Sequence, residues 1–302
     1  MSSALERAAT AASRPSRSAP TQAGRRSRSD GRGRVTATQP SALRNNLLFN
    51  VPVTVDDAIA ESRRRWPLAC AAYEDLLARA PFATVADGLR EESLVYSALQ
   101  AGPEFQAWRA ATPVRAKKPN ASPAVLIERV GDHLDVVLNR PERRNALGVE
   151  IRDGLLDAFA VALADPSLIV TVRGNGPSFC AGGDLDEFGS FPSPEEAHVI
   201  RLQTSIGAAI DVIKERVTFA IHGACYGSGI ELPAFAARVV AHPDTTFALP
   251  EISLGLIPGA GGTVSMTKRI GVARMLELGL SRQPIDAQTA LSWGLIDAIE
   301  IR

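Results

Sequence analysis

Three glycine-bearing turns, each set against a run of apolar residues, constrain this chain more than any other feature. They are "GNGPSFCAGGDLDEF" (174–188), "GACYGSGIEL" (223–232) and "TTFALPEISLGLIPGAGG" (245–262). The runs "LIVTVRG" (168–174) and "VTFAIHG" (217–223) read as buried strands. "NALGVEIRDGLLDAFAVALAD" (145–165) has helical periodicity, and "AVLIERVGDHLDVVLNRP" (124–141) reads as two short strands around Gly131-Asp132. Strands that alternate with helices imply parallel α/β layering. Glycine at the turns lets main-chain N–H groups approach a ligand closely, and adjacent open amides suit an oxyanion or a phosphate.

Upstream of this region the pattern is different. "VDDAIAESRRRWPLACAAYEDLLARAPF" (55–82) and "TVADGLREESLVYSALQAGPEFQAWRAA" (84–111) are helical, interrupted at Pro67 and at Gly102-Pro103. In the second, Leu89, Leu94, Ala98 and Leu99 are expected on one buried face. "TPVRAKKPNASP" (112–123), basic and Pro-rich, reads as a linker. The organisation expected is a tail over 1–50, a helical extension over 51–111, the linker, and a main domain over 124–302.

Charge separates the tail from the rest. The whole chain balances 33 basic against 33 acidic residues, but residues 1–44 carry nine Arg against Glu6 and Asp30, a net of about +7 that leaves about −7 elsewhere. With so little to bury, the tail is expected to be disordered. It lacks interleaved aromatics, so nucleic acid is not the expected partner. Its Arg/Ser-rich opening also has the composition of an organelle transit peptide, but a cytoplasmic location is the expected one. No run is long and apolar enough for a membrane span. Three cysteines, Cys70, Cys180 and Cys225, form no C-x-x-C pair or closed disulfide set, and four dispersed histidines predict no metal. Cys180, Cys225 and His222 are read as structural.

Two acidic residues stand out in apolar surroundings. Glu231 lies just past Gly227-Ser228-Gly229, and Glu251 follows the apparent strand end at Pro250, among Leu249, Ile252, Leu254, Leu256 and Ile257. Such neighbours raise a carboxyl's pKa. Two carboxyl groups and two amide-bearing turns suit addition or elimination beside a carbonyl. One carboxylate activates water, one carboxylic acid protonates carbon 2, and amide donors hold the enolate oxygen. The Ala181 and Ser228 amides are the expected donors. No cofactor is required.

Jointly, "LNRPERRNAL", "FCAGGDLDEF", "GSGIEL", "FALPEISLGLIPGAGGT" and "ALSWGLIDAI", between about Pro123 and Ala298, resemble the crotonase superfamily, the enoyl-CoA hydratase/isomerase family. The resemblance implies an α/β fold, a spiral of ββα turns, that binds an acyl-CoA thioester. Glu231 and Glu251 match the two catalytic glutamates of the hydratases. Ala181 and Ser228 match the oxyanion-hole positions, with Ser228 where Gly is common. Ala146, Gly182, Gly183, Asp184 and Gly227 match substrate-binding positions. Ala237 stands where Asp is usual, and members continue for some tens of residues beyond the equivalent of "GLIDAIEIR" as helices that close the pocket and build trimers. The helices at 55–110 are not part of the usual hydratase and are expected to cover part of that surface, with a homo-oligomer left open. Hydration of an enoyl-CoA leads. Isomerisation or cofactor-independent conversion of an aromatic acyl-CoA, and a non-catalytic CoA- or RNA-binding role, are the other readings.

Overall fold

The computed structural model describes residues 54–115 and 122–301. The tail expected at 1–50 lies outside the described residues, as do 116–121 of the expected linker.

Four helices open the described chain: α1 (Val55–Arg65), α2 (Pro67–Ala78), α3 (Val85–Gln100) and α4 (Pro103–Ala111). Local chemistry sets their ends. Thr54 and Thr84 hydroxyls accept from the Asp57 and Asp87 amides and satisfy first-turn donors of α1 and α3. Pro67 and Pro103 open α2 and α4, where a missing N–H costs nothing. The Glu104 carboxylate of α4 reaches the Leu68 and Ala69 amides at 2.8 and 3.0 Å and caps α2.

The expected buried face of α3 needs correcting. Leu89 and Leu99 are buried, but Leu94 is 48% exposed and Ala98 is exposed as well. The face turned inward carries Gly88, Glu92, Ser93, Tyr96 and Gln100. A mostly polar set is buried because polar partners await it, and apolar counting favours the wrong side.

The main region begins with an antiparallel hairpin, β1 (Val125–Val130) and β2 (His133–Leu138), closed where Val130 faces His133. Helix α5 (Val149–Ala164) returns the chain to β3 (Ile169–Gly174), parallel to β2. After α6 (Pro194–Gln203) and α7 (Ile206–Ile213) come β4 (Val217–Ile221) and β5 (Ala224–Tyr226), then the single turn α8 (Ser228–Glu231). Strands β6 (Arg238–Ala241) and β7 (Thr246–Ala248) lead to α9 (Gly262–Ser281), two helical stretches joined at a kink where Gly271 has φ 78° and ψ 164°. The described chain ends with β8 (Ile285–Asp286), α10 (Ala287–Trp293) and β9 (Ala298–Ile299). One sheet has the order β1-β2-β3-β4-β6-β9, parallel from β2 onward, and a smaller one the order β5-β7-β8.

The helical layer lies on α9. Tyr73 is fully buried and its hydroxyl donates to Met275 O at 2.8 Å. Ser62, also fully buried, donates to Leu280 O and accepts from Arg282 Nε. With Leu76 and Leu77 fully buried beside them, each large apolar side chain contributes about 1.5–3 kcal/mol. Residues 112–115 continue from α4 toward the main region, where the Arg115 amide donates to Asp186 at 3.0 Å.

Candidate active site

Glu231 owes its position to a main-chain contortion. Gly227 has φ 49° and ψ −122°, so β5 turns abruptly into α8. A Cβ on Gly227 would lie 2.2 Å from Glu251 Oε1 and 3.7 Å from Glu231 Oε1. The same empty space therefore admits both carboxyl groups. Helix α8 is a single turn that stops at Glu231, and a 3-10 turn takes over at Pro233. Proline has no N–H to extend the α-helical ladder.

Glu251 opens the 3-10 turn Glu251–Leu254 that follows β7, and Gly255 closes it with φ 70°. A Cβ on Gly255 would sit 2.5 Å from Phe105 N, so α4 rests directly on this turn. Both acids are buried, Glu231 at 2% and Glu251 at 8% exposure, but their hydrogen bonding differs. Glu231 Oε2 accepts from the Ala260 and Gly262 amides at 2.8 and 2.9 Å. Glu251 Oε2 is buried with no hydrogen-bond partner.

A third carboxyl group, from α3, shares this interior. Glu92 is 2% exposed and accepts from Gly261 N, Thr263 N and Thr263 Oγ1 at 2.7, 2.9 and 2.7 Å. Burial pushes its pKa up to about 7 and that of Glu251 up to about 8, where the Glu92 charge adds to the effect. Burial, followed by the Glu251 and Glu92 charges, holds Glu231 well above the ordinary carboxylate range. Three buried acids this close do not all ionise at neutral pH.

These groups face a cavity of ≈ 230 Å³. Gly183, Asp184, Ser228, Glu231 and Glu251 line it, whereas Ala146, Ala181, Gly182 and Gly227 do not. Ala146 is one residue from Leu147, whose amide donates to Gly182 O and whose carbonyl accepts from Asp184 N, both at 2.8 Å. That bridge fixes the 181–184 turn. A separate bond corrects the expected donor pair: Ala181 N–H already donates to Arg144 O at 3.0 Å. On the 181–184 and 227–229 turns, the cavity-lining amides of Gly183 and Ser228 donate to no protein acceptor among the described residues. Spacing alone does not distinguish Ala181 from Gly183, because only the bond to Arg144 O decides which amide is engaged. The Asp184 carboxylate pairs with Arg143 at 2.9 Å, and Arg143 also holds Asp186.

Part of the remaining wall comes from α3 and α6, and of these residues sequence reasoning singled out Leu89 alone. Leu89, Glu92, Ser93, Tyr96 and Gln100 of α3 line the cavity together with Arg201 of α6. The Arg201 guanidinium stacks 4.7 Å from the Tyr96 ring centroid and donates to Ser93 and Ser97 hydroxyls. The signal that could have found them is the column Gly88, Glu92, Tyr96, Gln100, spaced by four along one helix face.

His222 does not line this cavity, and its Nε2 lies 2.8 Å from Gly176 O. Cys180 and Cys225 are buried on facing segments, and burial pushes the Cys180 thiol up to about 11 and holds Cys225 well above the ordinary thiol range. Neither is a thiolate nucleophile at neutral pH.

The family model described as enoyl-CoA hydratase/isomerase matches residues 133–301. The chain belongs to that family. YhaR of Bacillus subtilis (strain 168), whose name carries the same family, is 35% identical over 166 residues, 54% of this chain and 64% of that protein. The 2,3-dehydroadipyl-CoA hydratase of Escherichia coli (strain K12) is 33% identical over 176 residues, 58% of this chain and 68% of the relative. The chain thus spans about two thirds of the length of these family members. Among solved structures, the enoyl-CoA hydratase from Thermoplasma volcanium GSS1 superposes with a TM-score of 0.55 at 34% identity, over 59% of this chain and 72% of that one. The crotonase-type α/β fold follows. The family match begins at β2, downstream of the helices that carry Glu92 and Tyr96.

Proposed function

We propose that this chain adds water to the conjugated double bond of an enoyl-CoA thioester, or removes it in reverse, through an enolate. The observation that carries this reading is the pair Glu231 and Glu251, brought together around Gly227 at a cavity that two open amides, Gly183 and Ser228, also line. The thioester oxygen is placed against those amides, which stabilise its developing negative charge. Glu231, with two amide donors on one oxygen, is the better-supported carboxylate and takes a proton from water as the water oxygen bonds to carbon 3. Glu251, with a buried oxygen that has no partner, is the better-supported acid and gives its proton to carbon 2. Return of one proton from Glu231 to Glu251 through solvent resets the pair.

The test is incubation of the full chain with a panel of enoyl-CoA thioesters followed by mass spectrometry. Gain of the mass of one water supports hydration. An isomerised product of unchanged mass replaces hydration with proton transfer between carbons 2 and 4 by the same two acids. Binding without any product removes the catalytic reading.

A further inference from the structure

Glu92 has no place in the reaction above, yet it is as buried as Glu231. Its hydrogen bonds alternate with those of Glu231 along four successive amides. Ala260 N and Gly262 N go to Glu231, while Gly261 N and Thr263 N go to Glu92. These amides belong to the turn that enters α9, where first-turn N–H groups have no intrahelical acceptor and the helix dipole favours negative charge. The turn also contains Gly259, Gly261 and Gly262, the residue type with the most backbone freedom to lose.

Peptide units are planar, so fixing the N–H of residues 261 and 263 restricts the orientation of the unit between them, which carries the Gly262 N–H. Glu92 thus clamps both sides of an amide that orients Glu231. Its own orientation is set from α3, because Tyr96 packs so closely on Gly259 that a Cβ there would meet the ring at 2.4 Å. The charged and titratable groups around Glu92 are Glu231 of α8, Glu251, Arg201 of α6, Tyr96 of α3 and Tyr73 of α2.

We propose that Glu92, supplied by the helical layer upstream of the family match, is a positioning residue that holds the 260–263 turn so that Glu231 is presented to the cavity. This rests on the reading of Glu231 as the base. Glu92→Gln keeps the shape but replaces one acceptor oxygen with a donor, so one of the alternate amides loses its partner. Misplacement of a reacting group by a fraction of an ångström lowers rate more than binding.

The experiment compares the full-length wild type with Glu92→Gln and Thr263→Val, the second removing only the hydroxyl donor to Glu92. On a thioester that the wild type converts, kcat of Glu92→Gln is expected to fall about 10-fold with KM within about two-fold, and Thr263→Val to show a smaller loss of the same kind. Unchanged kcat in a folded Glu92→Gln overturns the proposal. So does a loss that appears in KM alone. If Glu92→Gln does not fold, unchanged kcat in Thr263→Val overturns it. A second readout does not require turnover: carbon-13 NMR of labelled glutamate carboxyls, with the Glu231 signal assigned by its absence in Glu231→Gln. Removing the neighbouring Glu92 charge is expected to lower the Glu231 titration midpoint. If no thioester is converted but the midpoint moves, the reaction assigned to Glu231 fails while its link to Glu92 stands. An unmoved midpoint overturns that link.

Discussion

Glu231 and Glu251 lie on two turns of similar construction, each after a short strand and beside a glycine of positive φ, and the structure treats them in opposite ways. Glu231 is given two main-chain donors on one oxygen, and Glu251 is left with a buried oxygen that has none. Burial alone raises the pKa of either acid. The two amides on Glu231 favour its ionised form and oppose the burial and neighbouring charges that still hold its pKa well above the ordinary range, while the orphaned Glu251 oxygen has no such support. A site that must both take and give a proton needs that inequality.

Removing either carboxyl group should have the largest effect. Glu231→Gln and Glu251→Gln are each expected to lower turnover on the order of 10²-fold or more while an unreactive thioester analogue binds nearly as before. Parallel kinetics, calorimetric binding and thermal melts check this, and a loss of turnover explained by unfolding would break the assignment.

Stability should expose the inequality directly. Glu231→Leu strands the Ala260 and Gly262 amides in the interior and is expected to cost about 1–3 kcal/mol in denaturant unfolding. Glu251→Leu removes a carboxyl with an orphaned oxygen and is expected to leave stability unchanged or raise it. Equal destabilisation of the two variants would remove the distinction.

Acidity provides a subtler test. The buried acids have folded pKa values above the 4.5 of a solvated glutamate, with Glu92 about 7 and Glu251 about 8. The native state therefore holds more protons than the unfolded one between pH 4.5 and about 8. The contribution of this cluster to stability is full below the unfolded pKa and is lost as pH rises through that window. Melting temperature, corrected for the rest of the chain by comparison with Glu251→Gln, is expected to fall more steeply in the wild type as pH is raised from 5 to 8. Matching slopes would show that Glu251 does not hold its proton across that range.

The smallest expected effect concerns the face of α3. Leu94→Ser, at a 48% exposed site, is expected to change stability by no more than about 0.5 kcal/mol. Leu89→Ala, at an 8% exposed site, should cost about 2 kcal/mol or more. The reverse order in urea titrations would show that the polar face is not the one turned inward.

The contrast between α3 and the main region also shows what a sequence discloses. The strand Val217–Ile221 buries Phe219, Ala220 and Ile221 in a row, so its composition alone identifies it. The two glutamates were legible because each interrupts an apolar stretch beside glycine. Glu92 was not, since "LREESLVYSALQ" has acidic and hydroxyl residues wherever a solvated helix would have them. Its burial depends on amides at 261 and 263, whose arrival in space no local pattern encodes. Which amide of Ala181-Gly182-Gly183 remains open was hidden for the same reason, because the partner, Arg144 O, lies on another segment.

The alternation of amides between Glu92 and Glu231 has a consequence in time. Glu92 precedes its partners by 169 and 171 residues, so at roughly 5–20 residues per second of synthesis it waits roughly 10 to 30 s for them to emerge from the ribosome. Throughout that interval the inward face of α3 is exposed to water, and its carboxylate, hydroxyl and amide groups are at ease there. An apolar face would have spent the same seconds seeking other partners. The polar seam that makes α3 hard to recognise in the sequence thus suits a helix that is made well before the turn that claims it.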